Sequence, residues 1–212
     1  MAKRKCPVIG LVGGMGSGKS SIAGIFKRMG AVIIDADATA HQVLQWPDIK
    51  ARIVEVFGQE VLSGGEISRR ALGEKVFDDE ALVHKLNSIV HPAVIDESKK
   101  IIEASRRDSG CRAVVLDAPL LLEAGLEGLC DCLVFVDAGE AVRAERLAAA
   151  RGWDAKETSR REKFQDSLIS KRIRADYTVD NNGSLDEAAR QVAAVWASVV
   201  DEQTHLTHKK PH

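Results

Sequence analysis

The sequence predicts an α/β fold: a five-stranded parallel sheet with helices packed on it and two helical insertions. Three observations carry that reading. Five short apolar runs, at 8–12, 31–34, 113–116, 133–136 and 177–179, are rich in Val, Ile and Leu. They are continuous rather than alternating, as strands buried on both faces of a parallel sheet must be. Segments of helical period separate them, and a glycine-rich turn follows the first run directly.

The elements then follow in order. The first run leads into 13–20 and a helix from Lys19 to about Arg28, with Ile22, Ile25 and Phe26 facing inward. The interval from the second run to the third is nearly eighty residues and reads as mainly helical: 39–45, 49–57, 69–76 and 79–88, then a longer helix starting at His91-Pro92. A second helical insertion separates the fourth and fifth runs. The last helix, 185–200, places Ala188, Val192, Val195, Trp196 and Val199 on one face, a stripe that reads as core packing. The expected organisation is a core at 1–38, 112–142 and 175–202, insertions at 39–111 and 143–174, and a disordered tail at 203–212.

Composition limits the functions available. The 212 residues are 45% hydrophobic and 29% charged, ordinary for a globular protein, with net charge −1. That balance argues against nucleic acid or an anionic membrane as the main partner. No segment reaches the roughly 18 apolar residues of a membrane span. The apolar start runs into a glycine loop rather than a cleavage site, so the expectation is a cytoplasmic protein. Cys6, Cys111, Cys130 and Cys132 show no zinc spacing and read as unpaired thiols.

Residues 13–20 read Gly-Gly-Met-Gly-Ser-Gly-Lys-Ser and match G-x-x-x-x-G-K-[ST] between a strand and a helix. The motif predicts a P-loop core that holds the phosphates of a nucleoside triphosphate. Gly14, Met15, Gly16, Ser17, Gly18, Lys19, Ser20 and Ser21 are the candidate nucleotide contacts, because backbone N–H groups at a helix N-terminus converge on an anion there. Lys19 should reach the β- and γ-phosphates, and the Ser20 hydroxyl should bind Mg²⁺. A dinucleotide fingerprint fails, since Lys19 and Ser21 occupy the positions its last glycine needs.

Ligands of open α/β sheets bind beyond the carboxyl ends of strands. Asp35 and Asp37 follow the second run, Asp117 the third and Asp137 the fourth. Phosphoryl transfer to an alcohol needs a carboxylate beside the acceptor hydroxyl, and Asp37 is the candidate. Asp35 could support it, although the pair also reads as a helix cap and turn. Asp117 ends a Val-Val-Leu-Asp run and could bind metal or substrate, or close a strand-end turn. Asp137 reads as the cap of a helix beginning near Glu140. The second insertion holds ten Lys/Arg against five Asp/Glu over 143–174. Arg146, Arg151, Arg161 and Arg172 there fit a closing lid, with a solvated helix face as the plainer alternative.

Several motifs in this order resemble the bacterial dephospho-CoA kinase family over about 8–192. They are the loop from Gly10 to Ser20, Ile34-Asp-Ala-Asp37 with Ala40-His41, Arg69-x-x-Leu72, Val76-Phe77 and Ile89-Val-His-Pro92. They continue with Asp117-Ala-Pro-Leu-Leu121 and Glu123, Arg146-Leu147, Arg161 followed by Gln165, and Ala175-Asp176 ahead of Asp180-Asn181. The resemblance implies transfer of the ATP γ-phosphoryl group to the ribose 3′-hydroxyl of dephospho-CoA. It implies Asp37 as base and arginines at Arg146 and Arg151 serving the phosphates, with Arg161 a further lid contact. Asp35, His41, Arg69, His91, Asp117, Pro119 and Leu120 then become candidate acceptor contacts, though His91 by itself reads as a turn histidine bonded to backbone before Pro92. The chain departs from the family at Leu122, where an aromatic residue is usual, at Asn87 and at Met15. The expected partner is a small molecule, with the protein a monomer or weak homo-oligomer. A P-loop kinase acting on a nucleotide or sugar acid is the alternative. A regulatory GTPase would need an Asn-Lys-x-Asp guanine reader, and the sequence has none.

Overall fold

The computed structural model describes residues 6–76, 79–154, 157–158, 162 and 165–201. In chain order the strands are β1 (Val8–Val12), β2 (Ala31–Asp35), β3 (Leu62–Ser63), β4 (Glu66–Ile67), β5 (Ala113–Asp117), β6 (Cys132–Asp137) and β7 (Tyr177–Asp180). The helices are α1 (Lys19–Arg28), α2 (Ala36–Val43), α3 (Pro47–Phe57), α4 (Arg69–Val76), α5 (Glu80–Arg107), α6 (Glu140–Arg151), α7 (Leu168–Arg174) and α8 (Leu185–Trp196). The chain divides into two compact units, 1–35 with 101–212, and 36–100.

The first unit is built on a parallel sheet of order β2-β5-β1-β6-β7. The five predicted runs are its five strands, most of them a residue longer. β1 and β5 are buried at every position, which explains why their sequences do not alternate. One face is covered by Ile22, Ile25 and Phe26 of α1 and by Val192, Val195 and Trp196 of α8. Phe26 and Trp196 meet with ring centroids 6.3 Å apart. Each such side chain contributes roughly 1.5–3 kcal/mol by burial. α8 starts at a capping box, Ser184 with Glu187, and runs into a π-helical turn at Ala197–Asp201 that keeps Val199 and Val200 buried.

The unit 36–100 has its own core, in which Ile49, Ile53 and Phe57 of α3 are buried, as are Leu72 of α4 and Ile89 and Val94 of α5. It differs from the mainly helical reading in two places. β3 and β4 form a short hairpin turned by Gly64 and Gly65, both with positive φ (61° and 83°), as a tight two-residue turn requires. The Gln45 side chain grips that hairpin through both the N–H and the C=O of Ile67. Secondly, α5 does not begin at Pro92 but runs through it, so His91 lies inside a helix and is not a turn histidine. A proline in a helix interior costs about 3 kcal/mol. Burial of Ile89, Val90 and Val94 on either side of Pro92 offsets that cost.

The cysteines bring a further correction. Cys6 and Cys111 are paired as a disulfide, their Cα atoms 6.1 Å apart, while Cys130 and Cys132 are free. The two halves lie just before the neighbouring strands β1 and β5, so the parallel register brings them together. A separation of 105 residues gives no such signal in the sequence.

Candidate active site

The site is assembled where β1 ends, at the centre of the sheet. The loop turns on glycines: Gly16 (φ 72°) and Gly18 (φ 89°) occupy left-handed backbone that other residues avoid. A Cβ on Gly18 would lie 2.3 Å from Asn181 Nδ2, and one on Gly16 would lie 2.6 Å from the Arg143 carbonyl. These contacts leave room for glycine alone. Ser17 N donates to Gly14 O at 3.2 Å, closing the turn. Lys19 folds back along the loop, with Nζ donating to Gly13 O and Gly14 O at 3.0 Å each.

Ser20, in the first turn of α1, donates its hydroxyl to Asp117 Oδ2 at 2.8 Å. Asp117 ends β5, and its register partner on the next strand is Asp35. The strand ends therefore bring the loop hydroxyl and two carboxylates to one edge. Hard oxygens in this arrangement suit Mg²⁺, so the residues present fit that ion. Pro119 and Leu120 continue from Asp117 in the following turn, both half-buried.

A ring of donors braces the loop from outside. Arg146 on α6 donates Nη1 to Ser17 O (3.3 Å) and Nη2 to Asn181 O (2.8 Å). Asn181, buried just after β7, donates Nδ2 to Ser17 O at 2.7 Å. Arg143 on α6 donates Nη1 to Met15 O at 3.3 Å and pairs with Glu162. The turn bearing Asn181 is itself fixed: Asn181 N donates to Asp137 O, and Gln191 of α8 bonds both the N–H and the C=O of Asp180. The backbone N–H of Asn182, then its side-chain amide, holds the Asp180 carboxyl below the usual carboxylate range.

Of the expected residues, Lys19, Ser20, Asp35, Asp117 and Arg146 all belong to the sheet unit. Asp37, His41, Arg69 and His91 belong to the 36–100 unit. Asp37 lies exposed in the first turn of α2, and His41 lies half-buried in its last. Arg69 opens α4, exposed. Ser21 is exposed on the first turn of α1. Arg151 is the last residue of α6. Arg161 lies outside the described residues.

The expectation for Asp137 is corrected. α6 is capped by Gly139 without a side-chain bond, and Asp137 pairs with Arg172 Nη1 at 3.3 Å. The sequence reading assigns no role to two residues of the brace, Asn181, which it names only within a family motif, and Arg143. Asn181 follows the fifth strand directly, so the strand-end rule extended to β7 would have found it. Arg143 carries no sequence signal, because its partner is a backbone carbonyl.

Comparison with known proteins agrees with this architecture. The family profile described as Dephospho-CoA kinase matches residues 7–187. A dephospho-CoA kinase of Corynebacterium diphtheriae is 40% identical over 191 residues, covering 89% of this chain and 95% of the relative. The crystal structure of TT1252 from Thermus thermophilus superposes with a TM-score of 0.76 at 33% identity, covering 92% of this chain and 99% of that one. Dephospho-CoA kinase from Campylobacter jejuni shares the fold, with a TM-score of 0.63 at 19% identity over 92% of this chain and 98% of its own. The family profile spans the loop, both strand-end aspartates and the Asn181 turn, and the chain belongs to the dephospho-CoA kinase family.

Proposed function

We propose that this chain transfers the γ-phosphoryl group of ATP to the ribose 3′-hydroxyl of dephospho-CoA, giving CoA and ADP, the last step of coenzyme A biosynthesis. The observation that carries the reading is the Ser20–Asp117 hydrogen bond beside Lys19, on the loop of a chain of this family.

In this reading Gly14 to Ser21 cradle the triphosphate, and Lys19 moves from the Gly13 and Gly14 carbonyls to the β- and γ-phosphates. Ser20 and Asp117 would hold Mg²⁺, which when bound neutralises charge on the phosphate oxygens. Asp37 orients the 3′-hydroxyl and takes its proton. The hydroxyl oxygen forms the new bond to Pγ as the bond from Pγ to the bridging oxygen breaks, and ADP leaves with that electron pair. Arg146, Arg151 and Arg161 serve the phosphates from the 143–174 lid, where charge accumulates in the transition state. Asp35, His41, Arg69, His91, Pro119 and Leu120 contact the acceptor, with 39–111 as the acceptor-binding insertion. The cytoplasm is the proposed compartment, since ATP is supplied there.

An ADP-release assay across dephospho-CoA, AMP, CMP and gluconate tests the acceptor. Turnover is expected with dephospho-CoA; turnover on another acceptor without it overturns the proposal. Asp37→Asn should lower kcat by about 10²-fold or more while leaving ATP affinity nearly unchanged, as a transition-state role requires. An unchanged kcat removes Asp37 from the base role.

A further inference from the structure

A phosphate loop binds by aiming its N–H groups, and something must hold each peptide in that orientation. In a planar trans peptide the C=O and the following N–H point in opposite directions. A donor that pins a loop carbonyl outward therefore points the next N–H inward. Met15 O is pinned by Arg143 Nη1, which sets the N–H of Gly16. Ser17 O is pinned by Asn181 Nδ2 and Arg146 Nη1, which sets the N–H of Gly18. Gly16 and Gly18 both have left-handed backbone, where an unheld peptide rotates freely.

We propose that Arg143 and Asn181 are positioning residues of the phosphate site, holding the Met15 and Ser17 carbonyls outward so that Gly16 and Gly18 N–H groups face the triphosphate. The proposal rests on reading 13–20 as the phosphate loop. Lys19 cannot do this work during catalysis, because it must leave Gly13 O and Gly14 O to reach phosphate. The external braces stay in place when it does. They are also buried: Asn181 is 4% and Arg143 8% exposed. The Asn181 backbone is fixed at its N–H by Asp137 O.

The test is calorimetric titration of the full chain with ATP, inorganic tripolyphosphate and adenosine, well below the melting temperature. Asn181→Ala and Arg143→Met should each weaken ATP and tripolyphosphate by the same factor, about 5- to 10-fold, the worth of one ordinary hydrogen bond. Adenosine affinity and the KM for dephospho-CoA should stay at wild-type values. Arg143→Lys, which keeps a donor, should recover much of the loss. Three results overturn the proposal: unchanged tripolyphosphate affinity in both variants, a loss confined to adenosine, or equal losses for all ligands. Failure of the wild-type chain to bind either ATP or tripolyphosphate would overturn the loop reading itself, and this proposal with it.

Discussion

Among the described residues outside the loop, Lys171 is the most deeply buried charge, at 2% side-chain exposure, and its removal has a calculable effect. Its Nζ lies 3.1 Å from Glu123 Oε1 and donates to Gln165 Oε1 at 3.2 Å. Glu123 Oε1 also accepts the backbone N–H of Asp166, at 2.6 Å. One carboxylate after β5 thus ties down the start of α7. Glu123 Oε2 is already buried without a hydrogen-bond partner among the described residues. Lys171→Met keeps the aliphatic stem and deletes the charge, stranding a carboxylate at 14% side-chain exposure. Breaking one side of such a pair costs about 3–5 kcal/mol. The partial exposure of Glu123 points to the lower end, about 3 kcal/mol. For a chain of this length that lowers Tm by about 6–12 °C. Circular-dichroism melts at neutral pH measure it. The double variant Glu123→Gln/Lys171→Met removes the stranded charge and should recover at least half of the loss, because an uncharged pair leaves nothing to desolvate. A single variant melting within about 2 °C of wild type refutes the reasoning. So does a double variant no more stable than the single.

Gly18→Ala forces a side chain into left-handed backbone and displaces Asn181 from Ser17 O; the two costs together are about 2–5 kcal/mol, and denaturant unfolding with an ATP titration should show lower stability and a more than tenfold weaker affinity. Burial, aided by neighbouring Asp131 and by each thiol's other acidic or thiol neighbours, pushes the Cys130 and Cys132 thiols up to about 12. At pH 8 peptide mapping after alkylation should therefore find them about 10³-fold slower than exposed thiols, and equal rates in native and unfolded chain would contradict this. The Glu187 carboxyl is held low by the backbone N–H and then the hydroxyl of Ser184, so its contribution is present above the ordinary value of 4.5 and lost as pH falls through the lowered folded value. The Tm gap between wild type and Glu187→Gln should accordingly be full at neutral pH and close below 4.5; a gap that widens in acid would be the opposite result.

The strands were legible because burial on both faces leaves no alternative composition, and the loop because its residue types answer to one geometric demand. The Trp196 stripe was legible for the same reason as any helix face. The misreadings share a different cause. Pro92 was read by local preference and tertiary burial outweighed it. The β3–β4 turn at Gly64-Gly65 is a strong turn signal, yet its strands of two residues are too short to show a period. The Asp137–Arg172 pair and the Cys6–Cys111 bridge depend on which strands are neighbours, something the sheet order decides. Arg143 grips a carbonyl, a group every residue has, so no side-chain pattern marks its target.

The sheet order also governs how the chain can be made. β1 is the first strand of this sheet in chain order, yet both of its neighbours, β5 and β6, come more than a hundred residues later, and β2 pairs with β5 alone. No strand of this sheet can find a partner until residue 113 has left the ribosome. At about 5–20 residues per second that is a delay of roughly 5–20 s. Throughout it Val8–Val12 is an unpaired apolar segment, the kind that attracts chaperones and aggregates. The strand that carries the phosphate loop is made before its neighbours and secured only after the middle of the chain arrives, so the nascent protein should be most vulnerable while the 36–100 unit is being completed.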